Sequence, residues 1–362
     1  MITATQEMRS DAASTHAPRW RITTSDGQDW TRRLLSGRIV RDGDQAPRSR
    51  LALTLATEGA PVLIDQGLLP TGRDVYADYW HYPVEQYVRV FTGRLINSAL
   101  TRTDSLWTLD AIDHSGTVQV DLISPGGITV PPTVAELVTE LVHRTLPQAV
   151  VHISGPALTA PVPADLTIDG DPWQIIETAV QSCGSEAYFD ADGDCIVRPE
   201  PSIGDPVDAL RTGPQGVVTA YETAHEAAYS RVELLYKQGT GDTEERRTGV
   251  WEDHRADSPT SVERIGRVTL RQTDGTGFWP DQAQADQAAA ALAARSAGRG
   301  RQTTLHHIPR PWIEPGDTVE VTLAGGPTEL QLVASVDIPL QPDAQATKLR
   351  NDTYSITAEA RT

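Results

Sequence analysis

The sequence predicts a β-rich α+β protein, and three observations carry that expectation. Segments with apolar residues at alternate positions recur from Trp20 to Leu122 and again toward the C-terminus. The period changes to that of a helix over 131–146, 171–183 and 281–295. The connections carry turn chemistry, as in Asp26-Gly27, Asp42-Gly43, Ser115-Gly116 and Gly126-Gly127.

Composition narrows the function classes. A chain of 362 residues is long enough for two or three domains with real cores. A formal charge of −18 argues against nucleic-acid binding through a basic face, because phosphate contacts need clustered Lys and Arg. Only Lys237 and Lys348 among the 31 basic residues are lysine, a bias of the coding sequence more than a functional choice. The balance is +2 over 1–60, −4 over 61–130, −10 over 131–215 and −6 beyond, so the middle third carries most of the negative field. Cys183 and Cys195 are too few for a secreted disulfide framework and wrongly spaced for zinc, and read as two buried small hydrophobes. Residues 1–18 lack both the basic start and the apolar core of a signal peptide and are expected to form a mobile tail. No apolar run approaches the roughly 18 residues of a membrane span, so a soluble protein of a reducing cytoplasm is expected.

Residues 19–127 read as an all-β sandwich or barrel. Leu51, Leu53 and Leu55 alternate with small or polar residues, as do Trp107, Leu109 and Ala111, and Val118, Val120 and Leu122; Val88 and Val90 precede Gly93. Between Leu55 and Val88 lies an aromatic-rich insertion, about 60–87, containing Tyr76, Tyr79, Trp80, Tyr82 and Tyr87. Tyr and Trp join apolar area to a polar tip, which suits contact with a neighbouring subunit, packing over the barrel or stacking on carbohydrate.

Residues 128–200 read as a small α+β domain. Thr133 and Glu136 form a capping box ahead of the stripe Val134, Leu137, Val138, Leu141 and Val142, which stops before Pro147. A strand follows near Val150 to Ile153. Asp171 caps the next helix, Pro172 occupies its first position, and Trp173, Ile176, Val180 and Cys183 share one face ending at Gly184. The DADGD turn then joins Ala187 and Phe189 to Ile196 in a hairpin.

Within 201–362 the Pro- and Gly-rich stretch 199–216 reads as a linker, 229–236 and 262–270 as strands, and 239–259 as an exposed loop. Asp281 caps a helix to Arg295, within 281–297, whose inner face is nearly all Ala with Leu292 the one large residue. Three further strands carry Val319, Val321 and Leu323; Leu330, Leu332, Ala334 and Val336; and Tyr354, Ile356 and Ala358.

A motif search returns no nucleophile elbow, Walker loop or dinucleotide fingerprint. His225 to Tyr229 places Tyr229 where a metalloprotease helix needs its second His. Asp190, Asp192 and Asp194 begin like a calcium loop, but Cys195 and Pro201 stand where the Gly and bidentate Glu belong, so a plain hairpin tip is expected. His306 and His307 would point to opposite faces of a strand. No catalytic, cofactor-binding or metal-binding residue is assigned, and no enzyme activity is expected.

One resemblance emerges from the order of several segments. GDPWQIIETAVQSCGSEAYFDADGDCIVRPEP from residue 170, HRADSPTS at 254–261, the Ala-rich helix and HHIPRPWIEPGDTVEV at 306–321 resemble tail proteins of actinobacterial phages. Together with SGRIVRDGDQAPRSRLALTLA at 36–56 and VFTGRL at 90–95, they are similar in order and spacing to the tail-tip or baseplate hub of long-tailed phages and contractile injection systems. The resemblance covers about 20–360. It implies two β-barrel-like hub domains interleaved with the α+β domain, and a homotrimeric ring closing the tail tube in the virion. Its implied partners are the tube or a distal tail ring, the tape-measure protein and tail-fibre or spike proteins; the −10 balance of 131–215 adds the expectation that DNA passes through an acidic lumen. A receptor- or carbohydrate-binding tail module is the alternative reading, and a cell-wall-degrading enzyme a second.

Overall fold

The structure is a computed structural model. It describes residues 19–350 except 57–71, 82–85, 102–105, 164–165, 167, 214–215, 225–228, 239–244, 257, 259, 275–281, 298–301 and 342–344. The first six strands are β1 (Arg19–Thr24), β2 (Leu34–Asp42), β3 (Ser49–Ala56), β4 (Asp74–His81), β5 (Gln86–Thr101) and β6 (Leu106–Ile112). The alternation seen in sequence becomes cross-strand pairing: Leu51 lies opposite Ala111, Leu53 opposite Leu109 and Leu55 opposite Trp107, all at most 4% exposed. Pairs of this kind hold a half-buried sheet together.

The middle of the chain forms α1 (His114–Gln119), α2 (Val134–Thr145), β7 (Val151–Ile153), α3 (Pro172–Ser182), β8 (Ser185–Phe189) and β9 (Cys195–Pro199). Asp171 caps α3 by accepting from the backbone N–H of Trp173 and Gln174, and Gly184 turns the chain with φ +69°. Trp173, Ile176 and Val180 are buried, together with the α2 stripe, in one core. Burying side chains of this size contributes roughly 1.5–3 kcal/mol each.

The last part contains β10 (Asp208–Arg211), β11 (Val218–Ala224), β12 (Arg231–Gln238), β13 (Glu245–Glu252), α4 (Val262–Ile265), β14 (Thr269–Asp274), α5 (Gln282–Ala297), β15 (Gln302–His307), β16 (Thr318–Thr322), β17 (Thr328–Pro339) and β18 (Gln345–Arg350). Strands from both ends of the chain share one twelve-stranded sheet, whose main path runs β1-β4-β5-β6-β3-β2-β17-β18-β15-β11. Ile39 opposite Ile338 marks the seam between its two halves. The three-stranded sheet β13-β12-β14 and α5 form a separate lobe inserted between β11 and β15, which pair with each other across the lobe's neck. The Ala face of α5 explains itself here. Gly249 on β13 lies so close to α5 that an added Cβ would meet Ala285 O at 2.1 Å, and only small residues allow that approach.

Several expectations are corrected. Val118, Val120 and Leu122 do not form a strand: Asp113 accepts from Ser115 N and starts α1, burying Val118 and leaving Val120 and Leu122 exposed. The aromatic-rich insertion is, in its described part, sheet: 74–81 and 86–101 are the paired strands β4 and β5. The proposed linker contains β10, which pairs in parallel with β16 and buries Leu210. The proposed loop 239–259 contains β13, and 262–270 opens with α4 before β14 begins. Tyr82, the segment 225–228 and the Tyr354 strand lie outside the described residues.

Candidate functional site: a buried polar joint

The large sheet, the α+β unit and the Glu314–Asp317 turn meet at a cluster of buried charges. Arg41 of β2 is 3% exposed, and its guanidinium lies 3.4 Å from Glu314 and donates to the carbonyl of Val90 on β5. Burial pushes the Arg41 pKa down, and the Glu314 carboxylate opposes that shift. Arg48, just before β3, reaches the α+β unit, with Nη1 3.5 Å from Glu186 of β8 and its guanidinium 3.9 Å over the Tyr188 ring. It also donates to Pro315 O. Arg198 of β9 closes the cluster, bonding Glu186 at 2.7 Å and Pro315 O at 3.4 Å. Burial works against the Arg198 charge, but Glu186 and Tyr188 outweigh it and raise the pKa.

The turn that receives these groups is built by its own sequence. Glu314 N donates to Asp317 Oδ2 at 2.9 Å, Asp317 N returns to Glu314 O, and Gly316 N and Asp317 O both bond Val333 of β17. Gly316 has φ +88°, and a Cβ there would lie 2.5 Å from the Arg198 guanidinium. Only glycine fits both demands. Asp317 is pushed up to about 6, first by burial and then by Glu314, and Tyr188 is pushed up to about 12 by burial. Beside the joint a cavity of about 310 Å³ is lined by Arg48, Trp173, Glu177, Leu270, Leu292 and Val333, among others. It lies where the large sheet, the α+β unit and the inserted lobe converge. The charged joint ties the large sheet, the α+β unit and the Glu314–Asp317 turn together, and it penalises misdocking because each unpaired member would be a buried charge.

The three segments that build this joint, 36–56, 170–201 and 306–321, all carry the resemblance, but no motif in them gives Arg41, Arg48, Arg198 or Glu314 a role. Asp190 Oδ1 accepts from the N–H of Asp192 and of Asp194, so the first carboxylate is used to shape the turn. The tip docks on the large sheet, where Thr92 of β5 donates to Ala191 O at 2.7 Å. Tyr79 packs edge-on against Trp20 and Trp80 against Tyr87, so their partners lie within the chain. His307 is buried between Thr347 and the carbonyl of Ile308, and burial lowers its pKa to about 4, while His306 is exposed. Cys195 is buried and pushed up to about 12 by burial, and Cys183 is half-buried with its pKa raised in the same way. Among the described residues no three His, Cys, Asp or Glu side chains are grouped to hold a metal, and no helix is long and apolar enough to cross a membrane.

No protein-family model and no curated protein matches the sequence. Solved structures do match. The tail protein from Neisseria meningitidis MC58 aligns over 93% of this chain and 97% of its own, with TM-score 0.65 and 15% identity. The prophage MuSo2 43 kDa tail protein from Shewanella oneidensis aligns over 93% and 99%, with TM-score 0.65 and 14% identity. A chain of the Francisella PdpA-VgrG complex aligns over 92% of this chain and 58% of its own, with TM-score 0.53 and 7% identity. At such identities the likeness is one of fold, and the β-rich fold of this chain is that of solved phage tail proteins along nearly its whole length.

Proposed function

We propose that the chain is a structural component of a phage tail tip, the hub that closes the tail tube and connects it to distal tail-tip or fibre proteins. The observation that supports this most is the eight-strand run β5-β6-β3-β2-β17-β18-β15-β11, made of four strands from each end of the chain and clamped to the α+β unit by the polar joint. Three such copies would offer six four-stranded halves to a six-fold tube, which is the economy of a homotrimeric ring. The fold likeness to tail proteins supports the same reading.

The neighbours in this reading are the tube or a distal ring, the tape-measure protein and the fibre or spike proteins. Assembly takes place in the cytoplasm of the host, an actinobacterium by sequence resemblance. The negative balance of 131–215 suits a surface past which DNA moves without sticking. The aromatic pairs Trp20–Tyr79 and Trp80–Tyr87 use part of these rings within the chain, and Tyr79 and Trp80 stay half-buried, which is compatible with a contact to a neighbouring subunit. Gold-labelled antibody on intact particles tests the placement: label confined to the tail end distal to the capsid is expected, and label along the tube or on the capsid refutes it.

A further inference from the structure

HRADSPTS at 254–261 carries part of the resemblance but takes no part in the polar joint. It lies in the inserted lobe, on the connection from β13 through α4 to β14, at the end of the lobe sheet where the chain enters β12. Ser230, the buried residue just before β12, fastens this connection from both sides. Its N–H donates to Val268 O and its hydroxyl to Gly266 O, while its carbonyl accepts from Asp253 N. Asp253, 1% exposed, in turn accepts from the Ser258 and Thr260 hydroxyls. The connection therefore buttresses the root of the lobe.

His254 sits on this frame between two carboxylates. Its Nδ1 lies 3.0 Å from Glu263 Oε1 of α4, and its Nε2 lies 3.0 Å from Glu252 Oε2 at the end of β13. A neutral imidazole has one N–H and one lone pair, so it can donate to one carboxylate only and turns its lone pair toward the other. Both bonds together require the imidazolium. The other charged groups around it, among the described residues, come from every adjoining element. Arg231 of β12 and Arg267 both pair with Glu252 Oε1, Arg255 pairs with the neighbouring Asp253, and Arg264 donates to Ala256 O. The two arginines hold Glu252 whatever the state of the histidine. Glu263, by contrast, has His254 as its one ion-pair partner among the described residues. In keeping with this, the pKa of His254 is raised, by Glu263 first and Glu252 second, and that of Glu263 is lowered by His254.

We propose that His254 is a pH-operated clamp at the root of the inserted lobe, closed on Glu252 and Glu263 when its ring is charged and released from Glu263 when the ring is neutral. The sign follows from the partners. A histidine held by carboxylates keeps its proton above the ordinary value of about 6.5, so the clamp is closed below that pH and opens as pH rises through the raised value. The side chain is 58% exposed, so the proton exchanges with solvent without unfolding. The hydrogen bonds of Ser230 involve no titrating group, so the connection stays attached and the release is local. It falls on 261–267, which carries α4 and turns the chain back into β14.

The test is hydrogen–deuterium exchange of the full chain at about pH 6 and about pH 9, with variants compared at one pH so that the intrinsic chemistry of exchange cancels. At the lower pH, amides of 261–267 are expected to exchange roughly three- to tenfold faster in His254→Gln than in wild type, the range two exposed charged hydrogen bonds can supply. At the higher pH the two proteins are expected to exchange alike. Glu263→Gln should behave as His254→Gln does, and unchanged exchange in 231–238 and 282–297 shows that both variants are folded. In wild type the His254 ring, followed by NMR, should titrate above about 6.5, and in Glu263→Gln closer to it. A difference of equal size at both pH values would mean a fixed structural contact, and no difference at either would mean that His254 holds nothing. Either result, or a wild-type ring titrating at or below about 6.5, overturns the proposal.

Discussion

Replacing Arg41 by Met is expected to cost roughly 3–5 kcal/mol of stability, because it strands the buried Glu314 carboxylate. The Arg41–Glu314 distance of 3.4 Å and exposures of 3% and 7% set the scale. At an effective dielectric constant of about 20, that separation corresponds to about 5 kcal/mol of attraction. Taking each ion out of water costs several kcal/mol, so the intact pair adds little net stability while either partner alone is a liability. Two further effects act in the same direction: Val90 O loses its donor, and Glu314 is left beside Asp317 with like charge. Glu314→Gln is expected to be similarly costly, since it leaves Arg41 buried without its carboxylate. The double variant Arg41→Met, Glu314→Gln removes both charges and is expected within about 2 kcal/mol of wild type. Urea unfolding followed by both tryptophan fluorescence and circular dichroism measures this, with coincident transitions required before a single free energy is assigned. Additive single-variant costs, or a single variant costing less than about 1 kcal/mol, would refute the view that the joint works by mutual dependence.

Four other outcomes are expected. Asp317 has a folded pKa of about 6, above its ordinary 3.8, so the folded state holds the proton more tightly and stability falls as pH rises through about 4 to 6; Asp317→Asn should remove that loss, up to about 3 kcal/mol, in melts run across this range. His307 has the opposite sign: its folded pKa is about 4, below 6.5, so stability falls as pH drops through 6.5 toward 4, and His307→Gln should flatten that limb in the same melts. Gly249→Ala should cost roughly 1–3 kcal/mol in the inserted lobe by forcing α5 off β13, seen as faster amide exchange confined to 231–297. Calcium should leave the melting temperature unchanged, because Asp190 is engaged by the turn backbone; a rise of several degrees that Asp192→Ala abolishes would overturn this assignment.

Much of the local structure is legible in the residues themselves. Asp171-Pro172 starts α3, the 3.6-residue stripes of α2 and α3 mark their buried faces, and DADGD turns β8 into β9, because caps, periods and tight turns are decided within a few residues. Leu51, Leu53 and Leu55 likewise announce a strand with one buried face. The alternation of Val118, Val120 and Leu122 announces one too, but the Asp113 cap and the packing of His114 on Phe189 make the segment helical. Tertiary contact there outweighs a pattern only three residues deep. Position in the assembled sheet is the other decision that local sequence cannot make. Arg41 and Glu314 are 273 residues apart, and neither is distinguishable from any other charged residue until the fold encloses them together. Tyr221 is one tyrosine among nine until its strand becomes the end of a sheet. Sequence determined which segments are strands, helices and turns wherever the energy is local; the tertiary structure alone decided partners, edges and buried charge, because those energies depend on distances that only the folded chain creates.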